Sequence, residues 1–222
     1  MKRSRLETAG LILNLTLLSR RTDNIQSFDY IYDIKNKYKF MYCHGDFVKR
    51  LSGTYNKNGG NITMAIRNIR TIGDEILTMN ARPVKEMTPR IKTLIEDMLD
   101  TMYDAQGVGL AAPQVGVLKQ IVVIDVTEDG SQPIVLINPQ IVKLSGTQTG
   151  QEGCLSVPGK AGIVTRANYA KVRALNEDMV EIEVEGEELL ARALQHEIDH
   201  LSGVLYVSKV EGELMNASAG EE

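Results

Sequence analysis

Gln195-His196-Glu197-Ile198-Asp199-His200 is the stretch on which the reading of this sequence turns. On a helix, positions four apart share a face, so His196 and His200 can present two imidazoles to one metal ion. Glu197 emerges about 100° further round the helix, within reach of water beside that ion but not placed as a third helical ligand. That position suits a general base. The chain has only three histidines, and two of them at this spacing around a glutamate point to a metal motif rather than incidental surface residues. A helix is expected over residues 187–202, with Gly203 placed to end it.

A catalytic metal site takes a third protein ligand and keeps a position open. Downstream, His200-Leu201-Ser202-Gly203-Val204-Leu205-Tyr206 follows the metzincin spacing, but Tyr206 stands where that family has its third histidine. Upstream, Glu152-Gly153-Cys154-Leu155-Ser156 offers a thiolate next to a glycine that permits close backbone approach. A lone cysteine is more often a small buried apolar residue. Beside a two-histidine motif, Cys154 is the best third ligand.

Working outward, Ile91, Leu94, Ile95, Met98, Leu99 and Met102 recur at helical steps, with Thr88 suited to the N-cap and Pro89 to the first turn. The spacing predicts an amphipathic helix up to about Asp104. A small-residue run, Gly107-Val108-Gly109-Leu110-Ala111-Ala112-Pro113-Gln114, follows it. Short β-prone segments then come at residues 120–126, 134–138, 141–144, 170–175 and 180–184. Short strands in succession suggest antiparallel sheet. The fold class expected is α+β, with antiparallel strands around a central helix that carries the histidine motif.

Taken together, the Gly107–Gln114 run, Glu152-Gly153-Cys154-Leu155-Ser156 and Gln195-His196-Glu197-Ile198-Asp199-His200 resemble the three signature motifs of the peptide deformylases, in that family's order. The resemblance runs from about Met64 to about Lys209. It implies removal of the formyl group from the N-terminal formyl-methionine of newly synthesised polypeptides. Cys154, His196 and His200 would hold the metal, and Glu197 would move protons from water to the departing amine. The side-chain amide of Gln114 and the backbone N–H of Leu155 would donate to the oxyanion. The peptide would lie as an added strand along Val108, Gly109 and Gly153, with its methionine in a pocket from Val108, Leu189 and Ala193. Asp199 and Arg173 would pair to support the ligands, as metal sites usually require, and Arg192 is placed at the pocket rim or toward solvent.

The resemblance also implies one divalent metal ion, with ferrous iron the active form in many members. One thiolate and two imidazoles accept zinc, nickel or cobalt as well. Implied partners are nascent formyl-methionyl polypeptides near the ribosome, in a bacterial cytoplasm or an organelle. Two other readings fit the metal motif: another single-metal metallopeptidase, and a catalytically silent binder of nascent N-termini. Intact Glu197, Gln114 and Cys154 argue against silence.

Composition sets the remaining bounds. The chain has 222 residues, 43% hydrophobic and 24% charged, as expected for one ordinary globular domain, and no apolar run approaches a membrane span. Cys43 and Cys154 cannot form a disulfide framework. Residues 1–63 carry 11 basic and 5 acidic side chains, residues 64–222 carry 14 and 24. An acidic main body excludes the clustered basic face of a nucleic-acid binder. Residues 1–63 hold five of the eight tyrosines and no sustained period, and read as an N-terminal extension to a catalytic domain at 64–222, with Met64 a candidate start. Their apolar stretch at residues 9–18 is broken by Asn14 and Thr16 and followed by Arg20-Arg21, which argues against a signal peptide. Cys43-His44 reads as incidental.

Overall fold

The computed structural model describes residues 65–217 together with four short strand pieces before them. Those pieces are β1 (Asp29–Tyr30) paired antiparallel with β2 (Met41–Tyr42), and β3 (Tyr55–Lys57) paired antiparallel with β4 (Gly60–Ile62). The chain divides into two compact units, Met1–Gly53 and Thr54–Glu222. The expectations about residues 9–18, Cys43-His44 and Met64 lie outside the described residues. Among the described residues, no helix is long and apolar enough to cross a membrane.

In the second unit the first helix, α1 (Pro89–Asp104), begins as its sequence predicts. Thr88 accepts from the Ile91 N–H, and Pro89 occupies the first turn, where a missing N–H costs nothing. Strands β5 (Gly109–Ala111), β6 (Ile121–Ile124) and β7 (Ile134–Ser145) follow. Next come β8 (Gln148–Gly153), β9 (Lys160–Arg166), β10 (Tyr169–Leu175) and β11 (Glu181–Glu187). Helix α2 (Glu188–Leu201) leaves β11 directly, and β12 (Met215–Asn216) is the last strand. Strands β11-β10-β7-β6-β5 make one sheet and β12-β9-β8 another, with every strand pair antiparallel.

β6 explains how the helices lie. Its Val122 and Ile124 belong to a core cluster with Ala191, Leu194 and Leu201 of α2, whereas Ile121 and Val123 pack with Leu94, Ile95, Met98 and Met102 of α1. Successive strand residues face opposite sides, so the larger sheet is covered by one helix on each face. That is why this strand reads Ile-Val-Val-Ile rather than alternating. Each large apolar side chain buried in this way contributes about 1.5–3 kcal/mol.

The structure corrects three strand assignments. Residues 134–145 form one strand, not two: Asn138 takes a left-handed backbone (φ 52) and its amide pairs with both the N–H and C=O of Val84. This kinks the strand without ending it. β8 and β9 lack the β-branched alternation that marks strands, and form because they pair with each other and close over α2. Gly162 in β9 is needed for packing, since a Cβ there would lie 2.5 Å from Val210. α2 ends as expected. Gly203 is left-handed (φ 72), its N–H bonds to His200 O, and the Val204 N–H reaches Asp199 O, a Schellman closure.

Candidate metal centre

α2 carries His196 and His200 one turn apart on the face turned toward β8, where the chain emerging from the strand presents Cys154. One ligand atom each from Cys154, His196 and His200 lie within 4.8 Å of one another. Cys154 Sγ is 3.3 Å from His200 Nε2. His196 donates from Nδ1 to Glu152 Oε2 at 3.0 Å, which fixes the ring and leaves Nε2 as the free lone pair. The three groups expected from the motifs are therefore brought together by the fold.

The two histidines of the cluster sit in opposite electrostatic settings. Burial opposes charge on His196, yet hydrogen bonds to Cys154 and Glu152 overcome it and push the imidazole up to about 10. Burial and the neighbouring His196 charge push His200 down to about 3. Glu197 is buried, with Oε2 lacking any hydrogen-bond partner, as does Nδ1 of His200. The unpartnered Glu197 oxygen beside a soft N,N,S donor set fits a metal and its water.

Burial raises the Glu197 carboxyl to about 7, with Glu152 and Asp199 adding to the rise and His196 and Arg166 opposing it. β5 passes so closely that a Cβ on Gly109 would lie 2.5 Å from Glu197 Oε1. Gly109 is therefore bare because Glu197 fills its side-chain space, a reason the sequence did not show. Gly153, by contrast, has room for a Cβ, the nearest atom being Lys160 O at 3.7 Å. Gln114 is buried in the turn after β5. Its Oε1 accepts from the Ala111 N–H at 2.8 Å, and its Nε2 points to Ser156 Oγ at 3.1 Å and Cys154 Sγ at 3.5 Å. The Leu155 side chain packs into the α1 cluster.

Among the residues expected to hold substrate, Val108 and Leu189 are exposed, and Ala193 is on the buried side of α2. Two expectations about charge are overturned. Arg173 does not pair with Asp199: β10 turns Val172 and Ala174 to the core, so Arg173 faces outward and pairs with Glu181 and Glu183. Asp199 binds Arg166 at 2.8 Å and Lys209 at 2.6 Å instead. Arg192 is not at a rim but buried, with Nη1 2.7 Å from Glu152 Oε1.

Neither Glu152 nor Arg166 has a role that its sequence neighbourhood announces. Glu152 sits two residues before Cys154, and that spacing in a strand was the available signal. Arg166 carried none, because its partners come from β8 and α2. Glu152 is buried, yet hydrogen bonds from His196 and Arg166 outweigh burial and hold its carboxyl down at about 2.

A family model described as polypeptide deformylase matches residues 66–214. The chain belongs to the polypeptide deformylase family. It is 64% identical over 159 residues to a peptide deformylase of Lachnoclostridium phytofermentans, covering 72% of this chain and 98% of that one. A peptide deformylase of Agathobacter rectalis is 66% identical over 151 residues, 68% and 94% of the two chains. Among solved structures, a peptide deformylase from Legionella pneumophila matches with a TM-score of 0.65 at 49% identity, over 66% of this chain and 87% of that one. One from Thermotoga maritima gives 0.64 at 40% identity, over 67% and 99%. Removal of the N-terminal formyl group from nascent polypeptides, at a single metal, is the reaction of the deformylase family.

Proposed function

We propose that Cys154, His196 and His200 hold a single divalent metal, ferrous iron, and that Glu197 moves the protons of deformylation. The observation that carries this reading is Glu197 itself: a buried carboxyl held at about 7, one oxygen without a partner, adjacent in sequence to a ligand histidine. A metal held by these three groups would supply the Lewis acidity that makes water a nucleophile near neutral pH.

Water oxygen attacks the formyl carbon, and Glu197 accepts the proton it gives up. As the carbon–nitrogen bond breaks, Glu197 passes that proton to the departing amine, leaving formate and a free methionine N-terminus. A carboxyl near 7 is suited to both transfers. Gln114 Nε2, fixed through the Ala111 N–H, and the Leu155 N–H are the donors to the developing oxyanion. Val108, Gly109 and Gly153 line the peptide backbone, with Val108, Leu189 and Ala193 on the methionine side. The catalytic unit is residues 64–222, with residues 1–63 an extension. Its substrates are nascent chains near the ribosome in a bacterial cytoplasm, in keeping with its bacterial relatives.

The test is steady-state deformylation of formyl-Met-Ala-Ser by anaerobically purified protein. Glu197→Gln is expected to lower kcat by about 10²–10⁴ with metal content unchanged, and Gln114→Leu by about 10²–10³. Wild-type turnover by Glu197→Gln would end the base assignment. Iron in the protein, measured by elemental analysis, supports the metal assignment; zinc alone in active enzyme overturns it.

A further inference from the structure

Residues 192, 196 and 200 are spaced by four along α2 and so share one face. The last two end at the metal cluster, and Arg192 ends on Glu152. The Glu152 carboxylate accepts four hydrogen bonds. Oε1 takes Arg166 Nε at 2.5 Å and Arg192 Nη1 at 2.7 Å, while Oε2 takes Arg166 Nη2 at 2.9 Å and His196 Nδ1 at 3.0 Å. A carboxylate offers about four such positions, so all are filled. Arg192 and His196, one turn apart, grip opposite oxygens of one carboxylate.

We propose that Arg192 is a positioning residue for the metal centre: it fixes Glu152 so that Oε2 orients the His196 ring, and it ties α2 to the strand that leads into Cys154. The proposal rests on reading Cys154, His196 and His200 as metal ligands. The guanidinium also donates to Val164 O in β9 at 3.1 Å and to Gly150 O and Gln148 O in β8 at 3.5 Å each. It thereby connects the helix that supplies two ligands to both strands beside the third. β8 makes room for it, since a Cβ on Gly150 would lie 3.2 Å from Arg192 Nη2. A planar fork reaches these separate acceptors together, and a lysine ammonium does not. Arg192 is 8% exposed, and a cation kept so dry needs this full set of partners.

Full-length wild type, Arg192→Met, Arg192→Lys, His196→Ala and Asp97→Asn are loaded with zinc, and the zinc dissociation constant is measured by competition with a chromogenic chelator. Asp97→Asn loosens the Arg67 pair on α1, away from the centre, and controls for general destabilisation. Arg192→Met is expected to weaken zinc binding by about 10–100-fold, to lower kcat on formyl-Met-Ala-Ser without raising KM, and to broaden the visible spectrum of the cobalt form. Arg192→Lys recovers part of each. Asp97→Asn retains wild-type affinity. If His196→Ala loses zinc while Arg192→Met binds it as wild type does, the positioning role falls and the ligand assignment stands. If His196→Ala holds zinc as wild type does, the ligand assignment falls and takes the proposal with it. Equal weakening in Asp97→Asn and Arg192→Met also overturns the proposal. Where Arg192→Met yields no folded protein, Arg192→Lys decides, and wild-type zinc affinity in it counts against the role.

Discussion

Glu152, Arg166 and Arg192 pair with one another through side chains at most 10% exposed, whereas Lys171, Arg173, Glu181, Glu183 and Glu185 pair along β10 and β11 at 30% to 68% exposure. The two groups have similar members and similar distances, and differ in solvent. In the first, water cannot substitute for a lost partner, so every oxygen of Glu152 is occupied and the geometry of His196 depends on it. In the second, Lys171 and Glu183 stabilise each other's charged forms, but water stands ready to replace either. Charge pairs shape this protein's chemistry where they are dry and mainly keep an edge strand soluble where they are wet.

The comparison can be broken most sharply at Glu152. Glu152→Ala leaves Arg166 and Arg192 buried without their shared carboxylate and is expected to cost about 3–5 kcal/mol, read as a large fall in denaturant midpoint. A midpoint unchanged from wild type would place this network with the wet one. Next in size is metal removal. Chelation is expected to abolish deformylation and to cost about 2.7 kcal/mol if metal was present at a hundred times its Kd, measured as a drop in Tm that restored metal reverses.

A smaller effect separates the groups by pH. The Glu152 carboxyl is depressed from 4.5 to about 2, so its contribution is fully present above 4.5 and is lost as pH falls from there through 2. In chelator-stripped protein, Glu152→Gln is therefore expected to flatten the acid limb of Tm against pH, whereas Glu183→Gln, whose exposed pair is screened by solvent, changes it in the same direction but far less. An acid limb of Glu152→Gln parallel to that of wild type would count against the depression. The smallest effect belongs to Arg173→Ala, expected to shift Tm by no more than replicate scatter and to leave kcat unaltered. A clear loss of activity there would restore the pairing with Asp199 that the fold denies.

Much of the site was legible because it is local. The His196–His200 spacing, the Thr88-Pro89 start of α1 and the Gly203 stop of α2 follow from helix geometry and capping within a few residues. Cys154 was legible as the thiolate beside the two histidines and Gln114 through motif resemblance, and the fold then placed Gln114 Nε2 3.5 Å from the sulfur. Arg173 was misassigned because its strand's inward and outward sides are decided by what packs on it, and Val172 and Ala174 took the inward side.

By itself, the sequence determined the two helices, the antiparallel character of the strands and the two-histidine spacing, since each depends on residue spacing along one segment. Only the tertiary structure decided that β8 and β9 are strands, that Gly109 yields its side-chain space to Glu197, and that Arg166 and Arg192 rather than Arg173 pair with Glu152 and Asp199. Those outcomes depend on which surfaces lose water together. Burial of that kind joins residues up to 44 positions apart, as Glu152 and His196 are, and no local pattern encodes it.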